Sequence, residues 1–237
     1  MRRTFGVARI LVAGIGVAAL IGDFNYSLGS NPLAIGNFFS YFTVQSALIA
    51  VVVFVIGAVY GLRDQPDPLW LDMVRLLATV WVIVSGIVFA VILVEGSLRG
   101  LPVWAPWSSQ LLHFWIPAYA IVDWLIAPGR DVPWRTVGFV LVFPVLWVAY
   151  TLIRGSVVYW YPYFFLDPAL VAFPLELAAY LLLVVVIFTG VTAVLIAISR
   201  LPGFEHVRQR LARSRLRRSQ ARPGGTPRRG YPAGSSS

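Results

Sequence analysis

Six stretches of the chain are apolar over lengths that suit a helix crossing a bilayer, where about 20 residues span the hydrocarbon. They cover residues 7–21, 38–62, 71–94, 107–128, 137–153 and 171–198, the first being the shortest. No water reaches the hydrocarbon core, so backbone groups there must be satisfied within helices or a closed barrel. Barrel strands alternate in polarity over roughly 10 residues. These runs are longer and do not alternate, so the expected fold class is all-α. Charged residues make up 12% of the 237 and hydrophobic ones 59%. A soluble domain carries about 25% charged residues. The expectation is a polytopic membrane protein: a six-helix transmembrane bundle over residues 1–199, then a basic tail over 200–237.

Arg2 and Arg3 ahead of the first run suit a secretory signal. No small-x-small site followed by a polar start comes after it, so the run is read as an anchor. Arginine sets the topology. Arg63 and Arg75 flank the second-to-third connection, Arg130 and Arg135 the fourth-to-fifth, and ten Arg follow the last run. The other connections hold Arg99 and Arg154. The positive-inside rule then places both termini in the cytoplasm of a multi-pass protein of the cell membrane. Trp70, Trp104, Trp107, Trp134 and Trp160 fall near run ends, as interfacial aromatics do. The tail predicts a short basic helix from Arg208 and disorder from Arg222, with anionic lipid headgroups as its partner. Nothing in it reads bases, so nucleic acid is not an expected partner.

Several chemistries are excluded. The chain has no Cys, which removes disulfides, iron–sulfur clusters, thiolate metal sites and a Cys nucleophile. All 19 basic residues are Arg, so a Schiff-base Lys is unavailable. His206 lies in the tail, which leaves His113 the only intramembrane His and rules out a bis-His haem from the chain's own helices. No phosphate-binding glycine loop, His-Glu-x-x-His or Gly-x-Ser-x-Gly motif occurs. No metal and no cofactor are expected.

The polar residues inside the runs gather in one half. Thr43 lies about five residues into the second run and His113 about six into the fourth, both roughly 8–9 Å deep when counted from the same side. Ser40 is three residues before Thr43, and Ser109 four before His113, positions that share a helix face. Ser46, Gln45, Gln110, Glu95, Arg154 and Glu176 belong to the same half. An ionisable side chain at bilayer depth marks a functional site by default. A shared outward-facing cavity is the expectation, with Glu95 and Glu176 as its charges. Asp123, ten residues past His113 and so about 15 Å away, is too far to orient the imidazole. It is read as an inner-face partner of Arg130 or Arg135. The aromatic, Pro-rich segment from Tyr150 to Pro168 is read as a loop that roofs the cavity.

Three segments in order carry a resemblance. Asn37-Phe38-Phe39-Ser40-Tyr41-Phe42-Thr43-Val44-Gln45-Ser46, then His113 and Pro117 with Asp123-Trp124, then Tyr150 to Gly155 with Trp160 to Asp167 resemble bacterial members of the androgen-induced membrane protein family. The likeness spans roughly residues 5–198 and leaves out the tail. Animal members are multi-pass hydrolases of fatty acid esters of hydroxy fatty acids that use an intramembrane Thr and a His. The resemblance implies Thr43 as nucleophile and His113 as base, with Ser40 the fallback one turn away. Animal members carry Asp or Asn where this chain has Ser46, and the His-to-Pro spacing is shorter here by one.

The expected activity is an intramembrane lipid-ester hydrolase with a membrane lipid as substrate. Thr43 would attack the ester carbonyl, and His113 would take its proton and return it to the leaving alkoxide. A hydroxyl needs an adjacent base to act as a nucleophile. A low-dielectric site favours the neutral imidazole this requires. Gln45, Gln110, Ser40 and Arg154 are the candidate donors to the oxyanion, with Ser46 in support. The alternative is a non-enzymatic membrane protein that binds or transports a lipid or small solute. His113, Glu95, Arg154 and Glu176 would then line its site.

Overall fold

A computed structural model describes residues 2–30, 35–98, 105–127, 131–172 and 174–201. The basic tail beyond Leu201, Arg99, Trp104 and Arg130 lie outside the described residues, as does the side chain of Glu95. Among the described residues the regular structure is helical throughout, with no strand. Five helices are long and apolar enough to cross a membrane: Arg2–Gly29, Phe42–Leu62, Leu69–Val94, Thr136–Val158 and Leu175–Ser199.

In chain order the elements are α1 (Arg2–Ser30), the single turn α2 (Ile35–Phe38), α3 (Phe42–Leu62) and α4 (Leu69–Leu98). Three contiguous helical pieces follow: α5 (Trp107–Gln110), a π turn (Leu111–Trp115) and α6 (Ile116–Ile126). Then come the turn α7 (Thr136–Phe139), α8 (Val142–Val158), a 3-10 turn (Phe164–Leu166) and α9 (Leu175–Ser199). Large apolar side chains lie open on the outer faces, with Leu11 61%, Leu146 65% and Leu182 65% exposed. Acyl chains, not water, suit such a surface.

The first run is not the shortest helix. α1 holds 29 residues and continues past Ile21 through the polar stretch from Gly22 to Ser30. That stretch reads as a loop in sequence, but it gains partners on neighbouring elements. Asp23 accepts hydrogen bonds from Ser108 and Ser109, and Phe24 packs edge-on against Phe38 at 5.1 Å. α1 crosses α3 where two glycines meet. A Cβ on Gly6 would come within 2.8 Å of the Leu62 nitrogen, and one on Gly61 within 2.8 Å of the Arg2 carbonyl oxygen. Small residues at such a crossing let two backbones approach without a hydrophobic driving force.

At the Arg2 end of α1 the helices are pinned by a buried ring of charge. Asp67 Oδ2 accepts from Arg9 Nη1 at 3.0 Å and from Arg75 Nη1 at 2.7 Å. Asp123 accepts from Arg9 Nε at 2.9 Å and from Arg75 Nη2 at 2.7 Å. Asp72 adds a bond from Arg75 Nη1 at 2.9 Å, and Arg9 also donates to the Gly57 carbonyl at 3.0 Å. Asp123 is therefore paired with arginines of α1 and α4 rather than with Arg135, and its expected pairing with Arg130 falls outside the described residues. Desolvated charges of this kind are tolerated only when paired and hydrogen-bonded.

The opposite end of the bundle is closed by the chain between α8 and α9. The segment from Tyr150 to Val158, expected as loop, is helical and belongs to α8. Tyr159 ends it in the left-handed region (φ 54°, ψ 38°), donating its N–H to the Gly155 carbonyl. Beyond it, Pro162 and Tyr163 turn inward over the helix ends.

Candidate active site

Thr43 and His113 meet. Thr43 Oγ1 lies 3.1 Å from His113 Nε2, with each residue 8% exposed. Neither is held there by local sequence. Thr43 is the second residue of α3, while His113 sits in the middle of the π turn.

Pro117 explains the π turn. It has no N–H to offer the carbonyl four residues back, which is that of His113, and its ring would crowd the same carbonyl. The chain widens by one residue instead, so that the Ile116 N–H reaches the Leu111 carbonyl. Such single π turns gather at functional sites. Widening leaves the His113 carbonyl facing α4, where Gly86 lies directly against it. The Phe89 ring, one turn further along α4, stacks on the imidazole at 3.8 Å and 13°.

The hydrogen bonds fix the roles of the imidazole nitrogens. Nδ1 is 2.8 Å from the Ser109 carbonyl oxygen. A carbonyl only accepts, so Nδ1 carries the proton and Nε2 presents a lone pair to Thr43. The Thr43 hydroxyl then donates to Nε2. Its oxygen retains two acceptor sites. Ser85 Oγ, from the middle of α4, fills one at 2.6 Å. Tyr163 lines the same cavity as Thr43. Burial pushes the Tyr163 phenol up to about 12, with the nearby Thr43 hydroxyl pulling the other way, so it stays neutral. Ser109 is steadied in turn by Asp23, whose Oδ1 accepts from the Ser109 hydroxyl at 2.6 Å and the Ser108 hydroxyl at 3.1 Å.

A cavity of about 310 Å³ opens beside the pair. Thr43, Ser85, His113 and Phe89 form its floor, Asp23, Tyr26, Ser27 and Ser109 its polar wall, and Pro162 and Tyr163 its roof. Its size falls at the lower end of the range for small-molecule sites, about 300–1,000 Å³. Among the described residues no group of three or more His, Asp or Glu is placed to hold a metal ion.

Of the other sequence candidates Ser109 lines this cavity, Glu95 has its side chain outside the described residues, and Ser40, Gln45, Ser46, Gln110, Arg154 and Glu176 do not line it. Ser40 lies in the turn before α3, so its spacing from Thr43 does not put both on one helix face. Its hydroxyl donates to the Gly36 carbonyl at 2.9 Å and meets Tyr150 at 3.0 Å, on the α8 side. Gln45 is half-buried and Gln110 exposed, and they fold back onto the Phe39 and Ala105 carbonyls, each at 2.9 Å. Ser46 is fully buried and donates to the Thr43 carbonyl at 3.1 Å. Arg154 donates to Asn37 Oδ1 at 2.7 Å and stacks on Trp160. Glu176 accepts from the Ala172 N–H at 2.7 Å at the start of α9. Each is spent on a local partner, so the oxyanion roles expected of Gln45, Gln110, Ser40 and Arg154 have no geometry here.

Ser85, Tyr163 and Asp23 were not singled out in the sequence. Ser85 is a lone hydroxyl in an aliphatic run, which carries no local signal. Tyr163 was visible only as part of an aromatic segment, and Asp23 as an acid just past an apolar run. No family profile, curated protein or solved structure matches the chain.

Proposed function

We propose that this protein is an intramembrane ester hydrolase in which Thr43 is the nucleophile and His113 its general base. The observation that carries the reading is the 3.1 Å contact between Thr43 Oγ1 and an Nε2 whose ring is held in the required tautomer by Ser109. Nucleophile, base and orienting group within hydrogen-bond reach make up the pattern of covalent acyl transfer.

The steps follow from the geometry. Thr43 Oγ1 attacks the ester carbonyl carbon while its proton passes to Nε2. Negative charge then grows on the former carbonyl oxygen. Tyr163 is one donor for it. The first-turn N–H groups of α3 are others, since they have no intrahelical acceptor and no side chain caps them. The imidazolium gives its proton to the leaving alkoxide, so the alcohol departs and Thr43 is left acylated. Water entering through the cavity loses a proton to Nε2 and attacks the acyl carbon. The carboxylic acid leaves, and Thr43 regains its proton.

The membrane setting belongs to the same reading. Trp107–Ile126 forms a run of 20 helical residues through the π turn and serves as a further crossing, for six in all. Arg distribution then places both termini in the cytoplasm of the cell membrane and the cavity on the outer side. The Arg-rich tail lies against anionic headgroups. A lipid ester reaches the site laterally, in keeping with the resemblance to the androgen-induced membrane protein family.

The test is turnover of lipid and p-nitrophenyl esters by the purified protein in detergent. Thr43→Ala and His113→Ala are each expected to lower it by about 10²–10⁴-fold. Wild-type rates in either variant reject the assignment, as does solute binding by a protein that turns over no ester.

A further inference from the structure

Next to the polar cavity lies a second, apolar chamber, and three side chains separate the two. Ser85 and Val88 of α4 and Tyr163 of the roof line both. The chamber itself is built between α4, α8 and α9, where Phe42, Val84, Trp147, Leu181, Val184 and Phe188 enclose about 50 Å³. Its residues are hydrocarbon and aromatic apart from the Ser85 and Tyr163 hydroxyls and the Trp147 indole N–H. The Ser85 hydroxyl is engaged with Thr43, the Tyr163 hydroxyl belongs to the wall shared with the polar cavity, and the indole N–H donates to the Ser40 carbonyl.

The chamber exists because the backbone of α8 stands away from α4 and α9. Rings bridge the gap: Phe42 packs on Phe143 at 5.0 Å, on Trp147 at 5.3 Å and on Phe188 at 5.7 Å. Val148 of α8 and Leu181 and Val184 of α9, all chamber residues, are partly exposed on the lipid-facing side. The hollow therefore runs from between α8 and α9 to Ser85, whose hydroxyl is hydrogen-bonded to Thr43.

We propose that this chamber holds the acyl chain of the ester substrate, with the polar cavity taking the alcohol. The proposal rests on the ester-hydrolase reading and adds the direction in which the substrate lies. A linear acyl chain enters from the bilayer between α8 and α9 and brings its carbonyl to Thr43. Asp23, Tyr26, Ser27 and Ser109 offer donors and acceptors to a hydroxyl-bearing alcohol on the other side. The enclosed volume takes about three or four water-sized groups. The site thus grips the first methylenes after the carbonyl and leaves the rest of the chain in lipid.

The experiment is a chain-length series of p-nitrophenyl esters, acetyl to dodecanoyl, with wild type, Val184→Trp and Leu182→Trp. Val184 faces the chamber, whereas Leu182 faces lipid. A buried methylene contributes roughly fourfold. In wild type kcat/KM should climb over the first methylenes and then level off. Val184→Trp should cut kcat/KM for the longer esters on the order of 10²-fold more than for the acetyl ester, and Leu182→Trp should keep the wild-type profile. An unchanged profile in Val184→Trp overturns the proposal. A fatty acid carrying a diazirine near its carboxyl reads the chamber without any turnover. Labelling of Val148, Leu181 or Val184 that is lost in Val184→Trp supports the acyl site, even if no ester is hydrolysed and the hydrolase reading falls. Labelling confined to other surfaces overturns it.

Discussion

Gly86→Ala is a one-methyl change that touches neither reacting group and yet is expected to separate them. A Cβ at Gly86 overlaps the carbonyl oxygen of His113, which is backbone and cannot rotate away. Carbon–oxygen contacts settle at roughly 3.3–3.6 Å, so α4 and the π turn must part by on the order of 1 Å. His113 rides on the π turn, whereas Thr43 is on α3. A shift of that size stretches the 3.1 Å Thr43–His113 contact beyond hydrogen-bond reach. It also disturbs the stack of Phe89 on the imidazole. Misplacement by about 1 Å costs roughly 10²-fold in rate, and overpacking costs about 1–3 kcal/mol of stability. Ester turnover in detergent, read beside the thermal unfolding of the same samples, separates the two effects. The expected result is a folded protein whose rate has fallen about 10²-fold. Wild-type turnover in Gly86→Ala would refute the idea that the fit of α4 against the π turn sets the geometry of the pair.

Two further outcomes are expected. Asp123→Ala leaves Arg9 and Arg75 buried without one of their two shared carboxylates and should cost about 3–5 kcal/mol, read as a lowered unfolding midpoint; an unshifted midpoint would mean that the ring does not clamp α1 to α4 and α6. Tyr163→Phe removes a neutral donor beside Thr43 and should lower kcat on the order of 10²-fold. Because burial raises the wild-type phenol to about 12, that ratio should stay flat from about pH 7 to about pH 10, and a Tyr163→Phe variant that keeps the wild-type rate throughout would show that the phenol does not act as the donor.

The helical class and the shared level of Thr43 and His113 were legible, because each depends on counting along the chain, whereas their contact was not. Apolar run length decides helix over strand, and equal depth in two runs brings two residues to one level. The azimuth that turns Thr43 toward His113 is set by Pro117 and Gly86, which a depth count does not see. The charge ring was misread for a different reason. Asp123 was matched to arginines a few residues away, whereas its partners are Arg9 and Arg75, 114 and 48 positions distant. In a bundle of antiparallel helices, residues at one level are nearer in space than residues along one helix. The candidate oxyanion donors failed on direction. Gln45 and Gln110 stand at the right level, but each bends back to a carbonyl of the preceding turn. Ser40 lies before the first residue of α3, where helical spacing does not apply.

The site of covalent capture tests the central claim most directly. The purified protein, treated with a fluorophosphonate or quenched during turnover of an activated ester, is digested and the modified peptide sequenced by mass spectrometry. The expected adduct is on Thr43 Oγ1, and it should vanish in His113→Ala while that variant keeps the wild-type unfolding midpoint. An adduct on Ser85, Ser40 or any other residue, or steady turnover in Thr43→Ala, would contradict the assignment.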